Sequence, residues 1–285
     1  MLYAECTLAE AVAILLKALP ESGDDREKRN VVATLFAHFM GLSRADLVLK
    51  GTEVLSSSHI EELSSAMRRL VSGEPVQYIT GQVSFAGILL GVNPSVLIPR
   101  PETEELVALV APRTREGEAV LDIGTGSGCI AIALKKANPA IYCEAWDVDE
   151  KALETARTNA GKANVKINFR CVDVLEAQAI QDKPFDWIIS NPPYIPRAEA
   201  ESMSPRVVQH EPHLALFCPD DDPLVFYRAI AEYALQGLDK QGELWFEIHP
   251  PLAETLEAML ISMGFLRCEV HFDLQGRKRF VRARF

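Results

Sequence analysis

The segment Ile188-Ile-Ser-Asn-Pro-Pro-Tyr-Ile195 concentrates more chemistry than any other stretch of the chain. Two apolar residues and a serine form a strand end, which places Asn191 at the carboxyl edge of a sheet, where ligands of open α/β folds bind. Pro192 and Pro193 restrict the following backbone and remove two N–H donors. What remains is an array of acceptors, the Asn191 side-chain oxygen and the Pro192 carbonyl. Both can accept from one planar –NH₂ group. Holding its two protons aims the nitrogen lone pair out of the plane, toward an electrophile such as a methyl sulfonium. Tyr194 can stack on the flat substrate. Asn191, Pro192 and Tyr194 are therefore the candidate catalytic residues, and Pro193 joins them in binding substrate. The same residues could instead build a cis-proline turn around a structural tyrosine.

Upstream, Val120-Leu-Asp-Ile-Gly-Thr-Gly-Ser-Gly-Cys-Ile-Ala131 reads as a strand, a glycine turn and a helix start. Gly124, Gly126 and Gly128 let the backbone bend and approach a ligand closely, and the helix beyond them offers free N–H groups. A dinucleotide fingerprint wants G-x-G-x-x-G, but position 129 is Cys. The G-x-G-x-G spacing after the acidic strand end at Asp122 suits a bulkier ligand without a pyrophosphate. Gly124, Thr125, Gly126, Ser127 and Gly128 would cradle it, with Asn191 alongside. Asp147 follows the next strand, about twenty residues on, where a carboxylate can accept from both hydroxyls of a ribose. It could also be a helix N-cap or a solvated turn residue, although Asp149 is better placed as the cap. Asp173, after a third strand, could meet an adenine amino group or be a plain loop carboxylate.

The elements that would hold these residues are legible from periodicity. Thr7-Leu-Ala-Glu10 is a capping box opening a helix that stops at Pro20. A second helix is expected from about residue 25 to 40, ending at Gly41, and Ser43-Arg-Ala-Asp46 starts a short third. Ser58-His-Ile-Glu61 caps a fourth that Gly73 closes. Between 74 and 98 the texture turns β-prone, with Tyr78, Ile79, Val83 and Phe85 punctuated by Gly81, Gly87 and Gly91, as in a hairpin connector. From 119 onward strand-like runs (119–123, 141–146, 167–171, 187–190, 243–248) alternate with helical ones (129–136, 150–160, 224–235, 252–263). That alternation implies a mostly parallel sheet covered on both faces. Runs at 266–272 and 280–285 add an antiparallel edge. The expected organisation is a helical domain at 1–73, a hairpin linker at 74–98 and an α/β domain at 99–285.

With 285 residues, 48% of them hydrophobic, the chain can build a sizeable core. No run approaches the roughly 18 apolar residues of a membrane span, and the N-terminus lacks a signal-peptide pattern. A soluble cytoplasmic protein is expected. The formal net charge of −11 argues against broad capture of nucleic acid. Arg277, Lys278, Arg279, Arg282 and Arg284 cluster near the end, but Phe280 and Phe285 interrupt them, as on the wet side of a terminal strand. Six scattered cysteines without a C-x-x-C pair suggest neither a metal site nor a disulfide framework.

Taken together, these segments resemble the bacterial peptide-chain release-factor glutamine N5-methyltransferases over essentially the whole chain. The resemblance is carried by Gly73-Glu-Pro-Val-Gln-Tyr-Ile-Thr-Gly81, Val96-Leu-Ile-Pro-Arg-Pro-Glu-Thr-Glu104, Leu121-Asp-Ile-Gly-Thr-Gly-Ser-Gly128, Ser190-Asn-Pro-Pro-Tyr-Ile195 and His210-Glu-Pro-His-Leu-Ala-Leu216. It implies a seven-stranded, Rossmann-like class I methyltransferase domain behind a small all-helical, substrate-docking domain. The implied cofactor is S-adenosyl-L-methionine, its amino-acid end on Gly124, Gly126 and Gly128 and its ribose on Asp147. The implied substrate is the glutamine of the Gly-Gly-Gln loop of class 1 release factors, its amide held by Asn191, Pro192 and Tyr194. The chain departs from the family pattern at Phe217-Cys218-Pro219 and at His249-Pro250-Pro251. Asn-Pro-Pro-Tyr is shared with adenine and guanine amino-methyltransferases of nucleic acids, so it specifies a target chemistry rather than a substrate. In relatives that methylate a ribosomal protein, the stretch matching Arg100-Pro-Glu-Thr-Glu104 typically differs. A nucleic-acid enzyme would need a basic recognition domain. The N-terminal region instead carries Glu5, Glu10, Glu21, Asp24, Asp25, Glu27, Asp46, Glu53, Glu61 and Glu62. A non-catalytic binder of a nucleotide-like metabolite would leave the acceptor array without a use.

Overall fold

The computed structural model describes residues 2–3, 5–19, 24–177 and 184–285; Pro20 and Glu21 lie outside them. The chain divides into two compact units, residues 1–81 with 205–210, and residues 82–204 with 211–285.

The first unit is helical, and local capping explains most of it. Helix α1 (Leu8–Ala18) opens on the expected box, with Thr7 N–H donating to Glu10 at 2.8 Å and Glu10 N–H donating to the Thr7 hydroxyl at 3.4 Å. Helix α2 (Asp25–Met40) ends at Gly41, whose φ of 65° few other residues adopt cheaply. Helix α3 (Arg44–Leu49) repeats the box with Ser43 and Asp46. Helix α4 (Ser57–Val71) starts earlier than the sequence suggests, because Ser56 rather than Ser58 accepts from His59 N–H. Leu55 before this cap and Ile60 after it join one apolar cluster, a hydrophobic staple that selects the first serine. Residues 76–80, β-prone by composition, form helix α5 (Val76–Thr80) between Pro75 and the left-handed Gly81. Val76 and Ile79 are buried in the helical core alongside Leu8, Leu15, Phe36 and Leu63, and this burial overrides propensity.

The second unit begins with a hairpin, β1 (Gln82–Phe85) and β2 (Ile88–Gly91), turned by Ala86 and Gly87, both at positive φ. Phe85 and Leu90 are fully buried in one of the cores of the sheet, so the hairpin belongs to that layer rather than to a free connector. In chain order there follow α6 (Pro101–Val110), β3 (Ala119–Ile123), α7 (Cys129–Ala137), β4 (Tyr142–Asp147), α8 (Glu150–Lys162), β5 (Asn168–Cys171), β6 (Phe185–Ser190) and β7 (Ile195–Pro196). Helix α9 (Pro205–His210) belongs to the first unit, with His210 and Arg206 beside Gly73. The remainder is α10 (His213–Leu216), β8 (Phe217–Cys218), α11 (Val225–Gly237), β9 (Leu238–Glu247), α12 (Ala253–Met263), β10 (Arg267–Phe272) and β11 (Lys278–Arg284).

Seven strands form the main sheet in the order β10-β11-β9-β6-β3-β4-β5. Strands β9, β6, β3, β4 and β5 run parallel, and β11 is antiparallel to both its neighbours. This is the seven-stranded methyltransferase architecture. Alternation along the strands sends Val120 and Ile189 into one core and Leu121 and Ile188 into the other. Order reverses between β3 and β6, so their carboxyl ends flank the crevice where such sheets bind ligands. Among the described residues, no helix is long and apolar enough to cross a membrane.

Candidate active site

A cleft opens at that reversal, enclosing about 1080 Å³ of atom-free space including its mouth. Its lining comes from the carboxyl ends of four strands and from 95–103 and 212–215, and it contains Gly124 to Ser127, Asp147, Asp173, Asn191, Pro192 and Pro193. Gly124 and Asn191, 67 positions apart, thus face one space. Gly128 and Tyr194 do not line it.

The glycine turn is held from below and behind. Asp122 is fully buried and points away from the cleft, accepting from the Thr125 hydroxyl at 2.6 Å and from Ala131 N–H at 3.2 Å. Gly128 is at φ 81°, and a Cβ there would stand 3.0 Å from Ile132 and 3.2 Å from Ala156, so this glycine lets α7 and α8 pack. Gly126, at φ 54°, has open space where a Cβ would be. Asn159, 1% exposed, clamps the turn to the hairpin. Its amide donates to the carbonyls of Ser127 and Gly91, both at 2.9 Å, and its oxygen accepts from Gly91 N–H at 2.7 Å.

Burial is the main force on Asp122 and pushes its carboxyl up to about 7, against the pull of Thr125 and Ala131. The folded chain therefore keeps this proton at pH values where the unfolded chain has lost it. The contribution of this group to stability is present below about pH 4 and lost as pH rises toward about 7, on the scale of about 1.4 kcal/mol per pH unit. Asp122→Asn keeps the shape and removes the titration. Across that window the denaturation midpoint of the variant should rise relative to wild type; a pH-independent gap would rule the buried acid out.

Asp147 receives Gly126 N–H at 2.8 Å on one oxygen and Asp149 N–H at 3.0 Å on the other. It is not the cap of α8; Asp149 is, accepting from Lys151 N–H at 2.9 Å. Burial raises the Asp147 carboxyl and the two N–H groups oppose that shift. A carboxylate offers about four acceptor sites, so each oxygen retains one for a ligand. Asp173 holds its own loop, accepting from Leu175 N–H at 2.9 Å, and also lines the cleft. The open space over the glycines, the cleft-facing Asp147 and the apolar Val148, Val172 and Val174 fit the adenosyl and amino-acid parts of S-adenosyl-L-methionine.

On the opposite side, Ser190 ends β6 by donating to Ile123 carbonyl at 2.6 Å, fixing the strand end before Asn191. All peptide bonds here are trans. Tyr194 is half-buried, its hydroxyl 3.4 Å from Glu247 and its ring parallel to His249 at 5.8 Å between centroids. The departure at His249 thus reaches Tyr194, and the one at Phe217-Cys218 becomes β8, paired parallel with β7 immediately after the motif. Sequence alone gives no role to Thr103, Glu211 or Glu247. Thr103 donates to Glu247 at 2.7 Å and accepts from the Asn191 amide at 3.3 Å. Glu211 accepts from Ile98 N–H at 3.2 Å and from Arg100 at 2.7 Å, tying the two charged motifs together beside the cleft. Glu247 could have been suspected from its place at the end of a central strand. Burial lifts it to about 7, with Thr103 and Arg279 pulling the other way.

The terminal basic cluster is internally paired. Arg277 meets Asp273 and Glu102, Lys278 meets Glu254, Arg279 meets Asp273, and Arg282 meets Glu243 and Glu269. Arg284 meets Glu269 as well. Little charge is left for a phosphate backbone there. Cys6, Cys129, Cys143 and Cys218 are buried and all six cysteines are free.

The methyltransferase small domain model matches residues 103–212, and the PrmC N-terminal domain model matches 10–81. The release factor glutamine methyltransferase of Bacteroides thetaiotaomicron is 38% identical over 95% of this chain and 98% of its own. That of Flavobacterium psychrophilum is 37% identical over 95% and 96%. That of Streptococcus pneumoniae is 39% identical over 85% of each. Among solved structures, the hMettl16 catalytic domain in complex with MAT2A 3′UTR hairpin 1 aligns with a TM-score of 0.56 at 16% identity, covering 83% of this chain and 84% of that one. A methyltransferase from Pyrococcus furiosus aligns at 0.52 and 17%, covering 77% and 98%. At those identities the likeness is one of fold.

Proposed function

This chain belongs to the release factor glutamine methyltransferase family, and we propose that it methylates N5 of the glutamine in the Gly-Gly-Gln loop of class 1 peptide chain release factors, in the cytoplasm, with S-adenosyl-L-methionine as donor. The observation that carries this is the meeting of Asn191 and Pro192 with the glycine turn and Asp147 in one cleft. Gly124 to Ser127 would take the amino-acid end of the cofactor, with Gly128 serving the packing of α7 on α8 behind them, Asp147 its ribose and Asp173 its adenine amino group. Bound there, the cofactor supplies an electrophilic methyl group on a sulfonium.

The protein's own residues then have two tasks. An amide nitrogen is a poor nucleophile because its lone pair is delocalised into the carbonyl. The Asn191 oxygen and the Pro192 carbonyl accept its two protons and fix its plane, so that the lone pair faces the donor side of the cleft. As positive charge grows on nitrogen, the same two acceptors bind it more strongly, which lowers the barrier rather than merely tightening substrate binding. No strong base is required beforehand, since the charged nitrogen is acidic enough to lose its proton afterwards. Tyr194, which does not line the cleft itself, is stacked on His249 with its hydroxyl on Glu247 and so would support the Asn191 segment rather than contact the amide.

Incubation with intact release factor and labelled donor, followed by peptide mass spectrometry, should find one methyl group on the Gly-Gly-Gln glutamine. Label on another residue, or none, would refute the assignment. The helical unit is proposed to dock the protein substrate. A short peptide containing the loop should therefore be methylated much less efficiently than the intact factor, and equal efficiency would remove that role.

A further inference from the structure

A carboxamide can sit in a site in two ways that exchange its oxygen and nitrogen, and only its partners decide between them. For Asn191 the choice matters, because an oxygen facing the substrate amide accepts a proton whereas an –NH₂ there repels it. The buried chain Asn191–Thr103–Glu247 supplies the decision. Thr103, 2% exposed, has one hydroxyl hydrogen, and it goes to Glu247, 1% exposed, at 2.7 Å. Toward Asn191 the Thr103 oxygen can then only accept, and it does so from the Asn191 –NH₂ at 3.3 Å. The second Glu247 oxygen is engaged by the Tyr194 hydroxyl at 3.4 Å, and the Glu247 carbonyl by Tyr227 at 3.2 Å, so the carboxyl is anchored on several sides.

We propose that Thr103 and Glu247 are positioning residues, which lock the Asn191 carboxamide with its nitrogen inward and its oxygen toward the substrate nitrogen. The inference rests on the amide-binding role given to Asn191 above. It assigns a task to the threonine of Arg100-Pro-Glu-Thr-Glu104, the residue of that stretch buried next to the acceptor array. It also explains why a buried acid stands at the end of β9 with no part in the chemistry itself. Without the hydroxyl, the Asn191 –NH₂ loses its buried acceptor in the productive orientation, and the inverted one is no longer penalised.

Thr103→Val keeps the size and removes the hydroxyl. In single turnovers at saturating cofactor it should slow transfer about tenfold, the scale of one buried polar group left unpaired. S-adenosylhomocysteine affinity, measured by titration calorimetry, should change less than about twofold. Thr103→Ser, which restores the hydroxyl, should recover most of the rate. In an Asn191→Ala background, Thr103→Val should cost nothing further, because Thr103 acts through Asn191; a merely structural role would add its full effect there. A Thr103→Val rate within about threefold of wild type, a Thr103→Ser rate as slow as Val, or full additivity with Asn191→Ala would each overturn the positioning role. If Asn191→Ala alone transferred at the wild-type rate, the amide-binding assignment itself would fall, and the relay with it.

Discussion

Asn191→Ala is expected to lower the methyl-transfer rate by roughly 10²–10³-fold, the scale for losing one preorganised polar contact aimed at developing charge. Asn191 supplies one of the two acceptors for the substrate amide. Its loss leaves the nitrogen free to rotate and its growing charge half-compensated. Cofactor affinity should fall much less, because the glycine turn and Asp147 lie across the cleft and hold their shape through Asp122 and Asn159. Asn191→Asp tests the same point more finely. It keeps an acceptor of the same shape, and its second oxygen would face the Thr103 oxygen in place of the –NH₂ donor now at 3.3 Å. Aspartate should therefore retain more activity than alanine but less than asparagine. Single-turnover rates at saturating cofactor separate these outcomes, and an alanine variant within about threefold of wild type would remove Asn191 from the mechanism.

Asp147→Ala should weaken S-adenosylhomocysteine binding roughly 10–150-fold, the range for losing hydrogen bonds to a charged acceptor. Two effects act in the same direction. The ribose hydroxyls lose their acceptor, and Gly126 N–H loses the oxygen that tethers the turn at 2.8 Å. Asp147→Asn distinguishes them, since its amide oxygen can still receive Gly126 N–H while one acceptor for the ribose is lost. Calorimetry should rank affinity wild type, Asn, Ala. Identical affinities across the three would contradict the ribose assignment.

What could be read from the sequence was what depends on neighbours in the chain. The boxes at Thr7–Glu10 and Ser43–Asp46 and the stop at Gly41 involve residues a few positions apart, and each formed where expected. The alternation of strands and helices from residue 119 gave the parallel sheet, and the acceptor array lies within one short segment. What escaped depends on distant partners. The register of α4 was decided by which serine follows a buried leucine, and α5 exists because Val76 and Ile79 find a core. Thr103 and Glu247 are 144 positions apart, Arg100 and Glu211 111 apart, and nothing local in either stretch reveals its mate. The pairing of the terminal basic cluster was hidden where Arg282 finds Glu243 on β9 and Lys278 finds Glu254 on α12, although Asp273, the partner of Arg277 and Arg279, stands only a few positions upstream.

The Asn159 clamp has an evolutionary corollary. On the hairpin side it touches only the N–H and C=O of Gly91, and on the turn side only the carbonyl of Ser127. Main-chain groups are the same in every residue, so drift can rewrite the exposed side chains of the hairpin without the clamp registering the change. Length is another matter. One codon inserted or deleted within β2, between Ile88 and Gly91, would offset the carbonyl and amide that Asn159 grips, and the disturbance would pass into the glycine turn, whereas the tip at Ala86 and Gly87 can lengthen freely. The side-chain identities of β2 are thus free of the clamp while its length is tied to a side chain 68 positions further along the chain.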